Sequence, residues 1–128
     1  MKVAAIQMVS AGDLETNLLH AESLLKQAAK QGAELAVLPE YFCMIGSRDA
    51  DKLTISETQG QGKIQDFFVK TAQDLKMWVV GGTIPMTTDD PLHVNNSVLV
   101  YSPDGKLAAR YDKIHLFRFD NGSESYDE

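Results

Sequence analysis

The chain has 128 residues, the length of one domain and enough to bury a real core, and its 44% hydrophobic and 23% charged residues are those of an ordinary globular protein. No uncharged apolar run approaches the ~18 residues of a membrane-spanning helix, and Met1 to Met8 lacks the apolar stretch and cleavage site of a signal peptide. Twelve Lys and Arg against 18 Asp and Glu give a net charge of −6, with the basic residues scattered, which argues against a nucleic-acid partner.

Val3 to Val9 is a short Val- and Ile-bearing run that predicts a buried strand. Asp13 is placed to cap a helix in which Leu14, Leu18, Ala21, Leu25 and Ala28 recur at helical spacing, and Gln31-Gly32 closes it. Glu34 to Leu38 is a second strand, ended by Pro39. Strand, helix and strand with short joints form a βαβ unit, so these strands are expected to be parallel. Phe42 to Gly62 lacks periodicity and predicts a long loop, of a length usually functional or disordered.

A second amphipathic helix carries Ile64, Phe67, Phe68, Ala72 and Leu75 on one face and ends at Lys76. Met77 to Ile84 predicts a third strand and Pro85 to Pro91 a loop. Asn96 to Tyr101 and Lys106 to Tyr111 flank Ser102-Pro103-Asp104-Gly105, a turn in which proline presets φ and glycine accepts a positive φ. The pattern is β-α-β-α-β followed by an antiparallel hairpin: an α/β protein with a mixed sheet. Periodicity is lost after Tyr111, and neither a repeat nor a second domain is evident.

Glu40 follows Leu38-Pro39 at the carboxyl end of a parallel strand, where open α/β sheets build sites. A partly desolvated carboxylate there can act as a general base; the competing reading is a solvated loop residue. Lys113 can oppose a developing negative charge, although an isolated lysine is more often a surface residue. For His115, structural hydrogen bonding is favoured over chemistry, because neither His20, in a helix, nor His93, in a loop, gives it a partner at ligand spacing. Cys43, the only cysteine, rules out an intrachain disulfide and points to a reducing, cytosolic home. Beside Phe42 it reads as a small buried hydrophobe rather than a nucleophile. Gly81-Gly82 fits neither nucleotide-binding glycine pattern and is expected to serve close packing.

Together these segments resemble the nitrilase superfamily of carbon–nitrogen hydrolases. Lys2 to Met8, with Asn17 in the first helix, looks like the family's start. Gly32 to Glu40 looks like its first catalytic block. Asn96-Ser97 through Pro103-Asp104-Gly105 to Tyr111-Asp112-Lys113-Ile114-His115-Leu116-Phe117 looks like its lysine-bearing block. The resemblance runs along nearly the whole chain and is nearest to the aliphatic amidase and ω-amidase-like branch.

It implies an α-β-β-α sandwich, of which residues 1–128 would be the amino-terminal part of a single domain, a cytoplasmic homo-oligomer, and a small amide or nitrile substrate. Neither metal nor organic cofactor is implied. By the same resemblance Glu40 is the general base, Lys113 the oxyanion stabiliser, and Glu128 a second, positioning glutamate, with Glu124 the competing assignment. The family's nucleophilic cysteine belongs to a later motif, Gly-x-x-x-Cys-Tyr-Asp, that residues 1–128 do not contain, so this chain is expected to be inactive alone. A short non-catalytic relative serving binding or assembly is the alternative, and a flavodoxin-like binding domain a weaker one.

Overall fold

A computed structural model describes residues 1–47, 49–123 and 125–127; residues 49, 118, 119 and 125–127 are described by their backbone. Glu124 and Glu128, the two candidates for the second glutamate, lie outside the described residues.

Three short strands, β1 (Val3–Ala5), β2 (Leu35–Val37) and β3 (Trp78–Val80), run parallel, with Ala4, Ala36 and Val79 in register. The βαβ reading therefore holds, but β1 is shorter than Val3 to Val9: past Ala5 only the Ile6 N–H continues the pairing, to the Val37 carbonyl at 2.9 Å. Two helices, α1 (Leu14–Lys30) and α2 (Lys63–Leu75), pack on one face of the sheet. Leu18, Leu25, Ile64 and Phe68 close there over Ala36, Val79, Leu99 and Tyr101. Helix α1 starts as its sequence predicts, with the Asp13 carboxylate accepting from the Thr16 N–H at 2.8 Å, and Gly32 follows its end at φ +82°.

Helix α2 begins differently. Gly62 at its N-cap offers no side chain, and the buried Glu57 carboxylate accepts instead from the Ile64 and Gln65 N–H groups at 2.6 and 3.1 Å. An anion at a helix amino terminus satisfies donors that would otherwise be stranded. The expected loop from Phe42 to Gly62 is thus structured: it contains a 3-10 helix at Asp49–Ile55, and Glu57 bridges to Met86.

Met77 to Ile84 is not one strand. Gly81 and Gly82 interrupt it, and β4 (Ile84–Thr87) takes in Pro85, expected in a loop. Both β3 and β4 pair antiparallel with the same long strand, β5 (Val94–Tyr101), β3 with its end and β4 with its beginning. A Cβ on Gly81 would meet the Phe68 ring, and one on Gly82 (φ +56°) would run into the Pro39 carbonyl oxygen. The glycines serve close approach, as their sequence context suggests.

Strand β6 (Leu107–Asp112) pairs with β5 around the predicted turn, with Gly105 at φ +73°. Beyond Tyr111, where the sequence loses periodicity, β7 (Arg118–Asp120) and β8 (Ser125–Asp127) pair antiparallel as a second hairpin. Asn121-Gly122 between them, with Gly122 at φ +84°, is a turn signal whose meaning only the paired flanks reveal. The architecture is a mixed six-stranded sheet with a helical layer, the α/β class expected. Its other face carries Val37, Trp78, Val80, Val98 and Val100, which are only partly buried.

Candidate active site

Glu40 sits where β2 ends. Leu38 makes the last link, its N–H donating to the Val80 carbonyl at 3.0 Å, and Pro39 then turns the chain out of the sheet. The turn that follows is pinned from three places in the chain, the loop after β1, helix α1 and the link between β3 and β4. The Tyr41 N–H donates to Thr83 Oγ1 at 2.9 Å, Ser10 Oγ donates to the Phe42 carbonyl at 2.9 Å, and Asn17 Nδ2 donates to the Cys43 carbonyl at 2.9 Å. Tyr41 takes a left-handed backbone (φ +49°), uncommon for a residue with a side chain and sustained here by those anchors. The Lys52 ammonium lies 4.0 Å from the centre of the Tyr41 ring.

Lys113 arrives from the other end of the chain. Its backbone N–H donates to the Asn96 carbonyl at 2.9 Å, extending the β5–β6 ladder one residue beyond the Ser97–Asp112 pair. Strand alternation puts Asn96 on the sheet face of Val98 and Val100, opposite the helices, whereas Ser97 shares the helix-covered face with Leu99. On that covered side Ser97 Oγ donates to Asp112 Oδ1 at 2.6 Å, and Arg110 Nε donates to the same oxygen at 2.8 Å. The Arg110 hydrogen bond, helped by Ser97, holds the Asp112 carboxyl below its ordinary range.

The two candidates named from sequence meet across 73 residues: Lys113 Nζ lies 3.3 Å from Glu40 Oε1. Asn96 Nδ2 donates to that same oxygen at 3.0 Å. The Glu40 side chain is 55% exposed and that of Lys113 26%, so the ion pair is screened and adds little stability. Its significance is positional: a carboxylate able to take a proton stands beside a fixed cation. The sequence marks Asn96 only as the start of the lysine-bearing block, although Asn95-Asn96 within a strand is itself a signal, because asparagine is depleted in strands.

The remaining candidates are not brought to this pair. Cys43 is fully buried, and burial pushes its thiol up to about 12. His115 and His20 are exposed, and His93 Nδ1 lies 2.7 Å from Asp90 Oδ2 in an exposed loop. Among the described residues no cluster of three or more His, Cys, Asp or Glu could hold a metal ion, and no helix is long and apolar enough to cross a membrane.

An α/β layer with a carboxylate and an ammonium converging at the end of a parallel strand matches the class that the motifs suggested. The chain belongs to the carbon-nitrogen hydrolase family, whose model matches residues 2–128. It is 35% identical over 115 residues to the deaminated glutathione amidase of Synechocystis, covering 89% of this chain and 42% of that protein. It is also 31% identical over 121 residues to a chloroplastic omega-amidase of Arabidopsis thaliana, covering 92% of this chain and 32% of the relative. Among solved structures, Saccharomyces cerevisiae Nit3, a member of the nitrilase superfamily, superposes with a TM-score of 0.80 at 26% identity, over 91% of this chain and 45% of Nit3. The chain thus spans 32% to 42% of the length of these curated relatives.

Proposed function

We propose that this chain carries the general base and the oxyanion-stabilising cation of an amidase that works through a cysteine thiolate. The observation that carries the reading is the 3.3 Å approach of Lys113 Nζ to Glu40 Oε1. Glu40 takes the proton of a thiol as its sulfur attacks the amide carbon, and the carbonyl oxygen gains the negative charge that Lys113 opposes. Collapse of the tetrahedral intermediate breaks the C–N bond, and the proton held by Glu40 passes to the leaving nitrogen. Water, deprotonated by Glu40, then attacks the thioester; the acid leaves and the thiol regains its proton.

Cys43 is not the nucleophile, because its thiol is buried and held protonated. The attacking cysteine therefore lies outside these 128 residues, and the chain by itself is inactive. Glu128, or Glu124 in its place, positions lysine and substrate in this reading. The names of the relatives, an omega-amidase and a deaminated glutathione amidase, support a small amide as substrate over a nitrile. Assembly as a cytoplasmic homo-oligomer belongs to the same proposal.

The test is hydrolysis of short ω-amides by the protein as its gene encodes it. Glu40→Gln and Lys113→Met should each lower kcat by on the order of 10²–10⁴. Unchanged turnover in Glu40→Gln, or turnover by the 128-residue chain that Cys43→Ala abolishes, would overturn the reading.

A further inference from the structure

We propose that Asn96 is a positioning residue that locks the base and the cation into one geometry and decides which oxygen of Glu40 handles the proton. The inference rests on the assignment of Glu40 and Lys113 above and goes beyond it.

Asn96 touches both partners through different atoms. Its side-chain Nδ2 donates to Glu40 Oε1 at 3.0 Å, and its backbone carbonyl accepts the Lys113 N–H at 2.9 Å. The residue is only 3% exposed and lies within β5, paired with Pro85 in β4, so its own position is set by the sheet rather than by a loop. Glu40 and Lys113, in contrast, both lie just outside strands. One rigid residue thus references two groups carried on less regular backbone, Glu40 through its side chain and Lys113 through its backbone carbonyl, which is what a preorganised site requires.

Among the described residues, the two contacts on the Glu40 carboxylate converge on Oε1: Asn96 Nδ2 at 3.0 Å and Lys113 Nζ at 3.3 Å. An oxygen already accepting from an amide and facing an ammonium is a poor proton acceptor. Oε2 is then the oxygen that receives and returns the proton, and Oε1 is the anchor. The chemistry of the residue matters here. Aspartate would set a second carboxylate against the first, serine is too short to span the same gap, and leucine offers no donor.

Activity-independent evidence comes from the side-chain amide of Asn96 in 15N-labelled protein. Glu40→Leu should move the Asn96 Nδ2 proton resonances upfield, because a charged acceptor has been removed; Glu40 is half-exposed, so the variant should fold. Unmoved resonances in a folded variant would overturn the positioning role alone. Kinetically, Asn96→Ala should lower kcat by on the order of 10²-fold with KM little changed. It should add little in a Glu40→Gln background, because the two substitutions remove the same arrangement. Full additivity would overturn the proposal, as a purely structural role acts alike in either background. Unchanged kcat in Glu40→Gln would overturn the base assignment, and the positioning role with it, whatever the resonances do.

Discussion

The buried side-chain amide of Asn17 on α1 donates to the backbone carbonyl of Cys43 at 2.9 Å, fastening the first helix to the turn that begins at Glu40. The same side chain exchanges two more hydrogen bonds with Ala11, one with its N–H and one with its carbonyl, each 2.8 Å. Asn17→Ala strands these groups in a largely dry setting. The expected loss is about 3 kcal/mol, read from the denaturant midpoint. Wild-type stability in this variant would show that the turn is held without α1.

Gly82 and Gly60 provide a matched pair. Both have positive φ, but a Cβ at Gly82 would strike the Pro39 carbonyl, while nothing lies within 4 Å of one at Gly60. Gly60→Ala should cost about 1 kcal/mol of backbone strain. Gly82→Ala should cost more than about 2 kcal/mol, because the neighbour is backbone and cannot rotate away. It should also displace the Glu40 turn. Equal losses measured by urea unfolding would refute the close-approach argument.

Cys43 should be silent in the native protein. With the thiol at about 12, on the order of one molecule in 10⁴ carries a thiolate at pH 8. Alkylation should therefore wait for unfolding. The raised value also fixes a sign: the buried neutral thiol contributes stability fully below its ordinary value of 9.0, and this is lost as pH rises from there towards 12. Rapid labelling of folded protein at pH 8 would contradict this.

Asp112 behaves oppositely. Its carboxyl is held low chiefly by the Arg110 hydrogen bond, so the stability it confers is present above the unfolded value of 3.8 and disappears as pH falls through the lower folded one. Arg110→Met should lower stability at pH 7 by no more than about 1 kcal/mol, because the pair is partly exposed. The difference from wild type should vanish as pH falls below the carboxyl's range, as read from urea midpoints at pH 7 and in acid. An equal difference at both pH values would mean that Arg110 acts by packing and not through the Asp112 carboxylate.

The segments legible from sequence are those whose signals are local. The Asp13 cap, the apolar stripes of α1 and α2, the Pro103-Asp104-Gly105 turn and the β-α-β order each depend on residues a few positions apart, within reach of backbone geometry and burial periodicity. Glu40 at a strand end was legible for the same reason, and the lysine-bearing block marked Lys113. Tertiary structure decided the rest. The Glu57 carboxylate, inside an apparently structureless loop, caps α2; β3 and β4 share one edge of β5 across a glycine break; and Asn96 joins two groups that lie far from each other in the chain. Such contacts depend on which strands pair and in what register, a choice made by packing of the whole sheet against both helices. A one-residue slip of β5 would turn Asn96 towards the helices and separate Glu40 from its anchor.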